Sequence, residues 1–181
     1  AARRREPAVK SQKFMASARV TVNRWNALAC ALILGILTCS SAAVAQSSQC
    51  GFIKDRDLQA QCRASTGGGH SQCGFIQNED ARSHCRATMG GGEAQCGFIK
   101  NSDLQALCRA ESSSSASPCG FIRDGDTQAY CRATTGGGSA QCGFIRNSDL
   151  QALCRSRTGG GSSHCGFIRD SDLQAACRAR Q

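Results

Sequence analysis

The sequence predicts a small, disulfide-rich, mainly α-helical fold of six tandem 23-residue repeats. Each repeat is expected to be a short helical unit stapled by a disulfide, joined to the next by a Gly/Ser-rich linker, with a signal segment ahead of the first. Three observations predict this. Cys-Gly-Phe-Ile recurs at Cys50, Cys73, Cys96, Cys119, Cys142 and Cys165. Every recurrence carries a second cysteine, followed by Arg, at its thirteenth position. Between the two cysteines an Asp or Asn precedes a run of good helix formers such as DLQALCRA. Composition agrees: 20 Gly against 7 Phe, 1 Tyr and 1 Trp leave too few large side chains for one continuous core across 181 residues.

The first 45 residues read as a targeting segment. Residues 1–14 precede Met15 and read as upstream translation or an extended basic start. Residues 15–45 have the order of a secretory signal: Arg19 and Arg24, an apolar run from Ala27 to Leu37, then small residues at Ala43 and Ala45. Cleavage after Ala45 leaves Gln46 first. The apolar run is short for a membrane span, so no transmembrane segment is expected in the mature chain.

The repeat units cover residues 50–62, 73–85, 96–108, 119–131, 142–154 and 165–177. The sixth position is Asp55, Asn78, Asn101, Asp124, Asn147 or Asp170, a residue type whose side-chain oxygen caps a helix N-terminus. The eighth is always Asp (Asp57, Asp80, Asp103, Asp126, Asp149, Asp172), in the first turn, where the helix dipole favours negative charge. The Arg after the closing cysteine falls in the last turn, where positive charge is favoured. Leu58 and Cys62 are four apart and share a face, as do Leu104 with Cys108 and Leu150 with Cys154. The Phe-Ile pair is the apolar material at hand to cover that face. A copy has too little of it to order itself alone, so neighbouring copies pack together or the face completes itself on a partner. The seventh and twelfth positions vary most, the latter running Gln61, His84, Leu107, Tyr130, Leu153 and Ala176.

Export makes disulfides the default for the 12 cysteines that follow the signal. Pairing within copies (Cys50–Cys62, Cys73–Cys85, Cys96–Cys108, Cys119–Cys131, Cys142–Cys154, Cys165–Cys177) uses all of them, whereas pairing each closing cysteine with the next opening one strands Cys50 and Cys177. The linkers, a Gly-Gly-Gly run in four gaps (TGGG in three, MGGG in one) and ESSSSASP in the remaining one, read as flexible tethers, which also favours in-copy bridges.

Several chemistries are disfavoured. The formal charge of +9 is concentrated before Gln46; beyond it 15 basic residues face 12 acidic ones with alternating sign, so nucleic acid is not an expected partner. The DxD pairs, followed by Gln59 at the fifth loop position, lack the rest of a calcium loop, with Ala60 where the turn glycine belongs and no glutamate at its twelfth position. No CxxC occurs, and His70, His84 and His164 occupy three different repeat positions, so they are no repeated metal ligand. The serines lie mostly in linkers without a base beside them, and the TGGG runs lack a phosphate-loop context. The expectation is therefore no enzyme, no catalytic residues, no metal and no cofactor.

What remains is an exported, non-enzymatic repeat protein presenting a weak binding surface many times, in an adhesive, envelope or structural role, secreted, periplasmic or cell-surface. The alternative is an array or precursor of disulfide-stabilised effector peptides, antimicrobial or inhibitory, released by cleavage at the linkers. The candidate partner contacts repeat in every copy: Phe52, Ile53 and Arg63; Phe75, Ile76 and Arg86; Phe98, Ile99 and Arg109; Phe121, Ile122 and Arg132; Phe144, Ile145 and Arg155; Phe167, Ile168 and Arg178. The expected partner is a protein or surface polymer engaged at several points, with self-association a second use of the same surface.

Overall fold

A computed structural model describes residues 48–181. The expected signal peptide and its cleavage after Ala45 lie outside the described residues. Among the described residues the regular structure is helical, with no strand.

Every copy is built the same way. A 3₁₀ turn carries the opening cysteine, as at Cys50–Phe52, and ends in an extended residue, Ile53. Asp55 then caps the first helix, α1 (Arg56–Arg63), its carboxylate accepting from the Leu58 N–H at 2.7 Å. The helices of the other copies are α2 (Glu79–Arg86), α3 (Ser102–Ser113), α4 (Gly125–Arg132), α5 (Ser148–Arg155) and α6 (Ser171–Ala179). Each has its Asp or Asn cap in place, at Asn78, Asn101, Asp124, Asn147 and Asp170. Six disulfides join the opening to the closing cysteine of the same copy, twelve residues on, with Cα atoms 5.6–5.7 Å apart. The Gln59 amide completes the unit by donating to the Ile53 carbonyl at 3.0 Å.

The core lies between copies rather than inside them. Ala60 on α1 and Ala64 at its C-terminal cap, one turn apart, pack against Cys73, Ile76 and Cys85 of the next copy. The same pattern joins Ala87 to Ile99, Ala106 and Ala110 to Ile122, Ala129 and Ala133 to Ile145, and Ala152 to Ile168. Small residues let the backbones approach closely, and each isoleucine fills the notch they leave. A sixth cluster of this kind joins Ala175 and Ala179 of the last copy to Cys50, Ile53 and Cys62 of the first. The helix α6 thus packs on α1 and on the Cys50–Phe52 turn, and the six copies form a closed ring.

A polar clamp repeats at the same six junctions. The eighth-position aspartate accepts from two consecutive backbone N–H groups of the following copy, at 2.8–3.1 Å throughout. Asp57 thereby holds Gln77 and Asn78, and Asp172 holds Lys54 and Asp55.

The glycine runs are specified turns, which corrects their reading as flexible tethers. After α1 the backbone turns at Gly67 (φ 116°) and Gly69 (φ 61°, ψ −163°), and the Gly69 N–H closes the turn on the Ala64 carbonyl. Both conformations are natural to glycine alone. Gly68, between them, has an ordinary φ, yet a Cβ there would lie 2.8 Å from the Arg63 carbonyl oxygen. In the third gap, where glycines are missing, Ser114 takes the left-handed conformation instead (φ 52°) and caps α3.

Candidate functional site

The ring has two repeated surfaces that could meet another molecule: an outward belt and an inner lumen. The belt is made by the phenylalanines. Phe52, Phe75, Phe98, Phe121, Phe144 and Phe167 are each 67–79% exposed, while the isoleucine that follows each of the six is buried at 1–3% exposure. Ile53, Ile76, Ile99, Ile122, Ile145 and Ile168, expected as partner contacts, are therefore core side chains sealed between copies. The split follows from backbone shape: Phe ends the 3₁₀ turn and Ile begins the extended step, so adjacent side chains leave in opposite directions. Phe does not fold back on the helix, and the Leu-Cys face is covered by Ile with the neighbouring alanines. Of the repeated arginines, Arg63, Arg109, Arg132, Arg155 and Arg178 are exposed, and Arg86 is half-buried with its Nε lacking a hydrogen-bond partner. In each copy Phe and Arg leave the chain within two residues of the same disulfide.

The lumen collects the side chains at the ninth, twelfth and sixteenth positions of the copies. It has a volume of about 1660 Å³. Leu58, Leu104, Leu107, Leu150, Leu153 and Leu173 line it half-buried, together with the largely buried Tyr130. Its polar groups pair across copies. His84 Nε2 meets the Glu111 carboxylate at 3.0 Å. Arg157 donates to the Tyr130 hydroxyl at 2.7 Å and stands over its ring at 5.9 Å, and Arg180 Nε donates to Ser65 Oγ at 2.9 Å. Burial pushes the Tyr130 phenol up to about 12, against the pull of the Arg157 charge. The variable twelfth position, from Gln61 to Ala176, faces this lumen in every copy, so the differences between copies concentrate inside the ring.

One mouth of the lumen is formed by the helix N-termini with their caps and clamps. Asp57, Asp80, Asp103, Asp126, Asp149 and Asp172 are all held below the ordinary carboxylate value, because each accepts two backbone N–H bonds that favour the charged form. The cap-and-first-turn reading of the DxD pairs stands, and the structure adds the inter-copy clamp. Among the described residues no group of three or more His, Cys, Asp or Glu is placed to hold a metal ion, and no helix is long and apolar enough to cross a membrane.

Sequence reasoning missed two sets of residues. The packing alanines were hidden in plain view: the eleventh position is Ala60, Ser83, Ala106, Ala129, Ala152 or Ala175, and the fifteenth Ala64, Ala87, Ala110, Ala133, Ser156 or Ala179. Uniformly small residues four apart signal a close helix contact. The sixteenth-position polar groups, Glu111, Arg157 and Arg180 among them, carry no period and become a set only once the ring closes. The chain matches no family model, no curated protein and no solved structure.

Proposed function

We propose that the chain is an exported, non-enzymatic ring that presents one weak binding surface six times, in an adhesive, envelope or structural role. The observation that carries this reading is the belt of phenylalanines at 67–79% exposure, each two residues after one cysteine of a disulfide whose other cysteine is followed by the repeated arginine. The same large apolar side chain is exposed at the same place in all six copies, a repeated surface that a repetitive partner can engage. One Phe-Arg patch makes a weak contact; six on a rigid ring make a strong one with any partner that repeats its own apolar and anionic groups, because the later contacts form at high effective concentration. Six buried disulfides suit an oxidising, extracytoplasmic compartment.

The straddling core weighs against release of single effector peptides. A cleaved unit would lose the alanine face that seals its isoleucine and would expose its own. For the same reason binding is best dissected by substitution, not by deleting copies. Phe→Ser changes introduced in one, three and all six copies should lower co-sedimentation of the ring with the surface fraction of the producing cells slightly, steeply and completely. A ring with all six changed that still sediments as the unaltered one does would end the reading.

A further inference from the structure

We propose that the lumen binds a single-chain amphiphile with an anionic head, its alkyl tail among the leucines and its head at Arg157 and Arg180. Three observations lead there. The first is the lining: six half-buried leucines face a shared space of about 1660 Å³, above the roughly 300–1,000 Å³ of most small-molecule sites. The second is length. From the cap at the sixth position to the last helical residue at the fourteenth, as from Asp55 to Arg63, the helix rises about 12 Å at 1.5 Å per residue, a span on the scale of an extended alkyl chain.

The third is charge. Arg157 and Arg180 each meet a neutral hydroxyl, of Tyr130 and of Ser65, and among the described residues neither has a carboxylate partner. Glu111, the acid at the same level of the lumen, is engaged by His84. Two cations at the mouth formed by the helix C-termini are thus open to an incoming carboxylate, which accepts from guanidinium groups in a fork. At the other end the lining includes the clamp aspartates Asp80 and Asp103, both held in the charged form. Charge therefore selects one orientation, head at the arginines and tail toward the aspartates.

The experiment is calorimetric titration of the folded, disulfide-bonded ring with dodecanoate below its micelle concentration, and in parallel with dodecyltrimethylammonium. Saturable dodecanoate binding at least tenfold tighter than that of the cation supports the proposal; equal or reversed preference overturns the head assignment. Gln61→Trp fills the lumen at a side chain that packs in no core cluster and should abolish binding, with Thr134→Trp as a second plug should the first fail to fold. Arg157→Gln with Arg180→Gln should weaken dodecanoate severalfold and leave the cation unchanged. Absence of saturable binding, or binding that survives a folded plug and disappears when the belt phenylalanines become serine, places any amphiphile outside the ring and sinks the idea.

Discussion

Asp172, in the last copy, accepts the backbone N–H groups of Lys54 at 3.1 Å and of Asp55 at 2.8 Å, in the first. The pairs are 118 and 117 residues apart in sequence, against 20 or 21 for the equivalent bonds at the other junctions. The seam of the ring is therefore made of the same contacts as its interior. Asp172→Ala should lower the Tm by several degrees and speed hydrogen exchange at the Lys54 and Asp55 amides. Asp126→Ala, at an ordinary junction, should do the same to Arg146 and Asn147. Amides at Lys54 and Asp55 that exchange freely in the unaltered protein would mean the ring is open in solution.

Acid should loosen all six junctions together. Each clamp aspartate has its pKa lowered in the folded state by backbone N–H bonds. A depressed folded value means that the contribution is fully present above the ordinary carboxylate value of 3.8 and is lost as pH falls through the folded values. Thermal unfolding followed by circular dichroism should show a Tm that is level near neutrality and drops steeply below about pH 4. In a ring with all six aspartates changed to Asn that drop should be much shallower, from a lower starting point.

Neighbouring side chains in one copy should behave oppositely on truncation. Ile122 is 3% exposed and sits between Ala106 and Ala110 of the preceding copy, so Ile122→Ala should cost about 2–5 kcal/mol in denaturant unfolding. Phe121 is 79% exposed, and Phe121→Ala should change stability by no more than about 0.5 kcal/mol while weakening partner binding. Equal costs at the two positions would contradict the outward placement of the belt.

The glycine turns make a third contrast. Gly138 has φ 68° and ψ −176°, and Gly138→Ala should cost about 1–3 kcal/mol from backbone strain. Gly137 has an ordinary φ, but an added Cβ would stand 2.7 Å from the Arg132 carbonyl, so Gly137→Ala should destabilise by crowding. Ser114, left-handed at the one junction without glycines, should respond in the other direction, with Ser114→Gly raising the Tm. A flexible tether would be indifferent to all three, which differential scanning calorimetry can decide.

Local chemistry made most of the unit legible in the sequence. Asp55 and its equivalents are short acceptors ahead of helix formers, and the two cysteines of a copy are brought together by a turn and two helical turns. What could not be read was the relation between copies. A 23-residue period says that units are equivalent, but the rotation from one to the next is set by how deeply Ile76 seats against Ala60 and Ala64 and by where Asp57 catches Gln77. Both are contacts between residues too far apart for a local pattern to reveal. The same holds for the lumen. Tyr130 and Arg157 are 27 residues apart, and nothing in either segment announces the other.

Closure also turns the number of copies into a matter of geometry. An open stack of repeats can gain a member at either end and remain the same kind of object. In a ring of six the steps must sum to one full revolution, an average of about 60° each, and that angle is already written into the fit of isoleucine against alanine. A seventh unit would have to spread every junction or leave the circle unjoined. The array is thus self-counting, and duplication of a single copy would yield a different molecule, not a longer one.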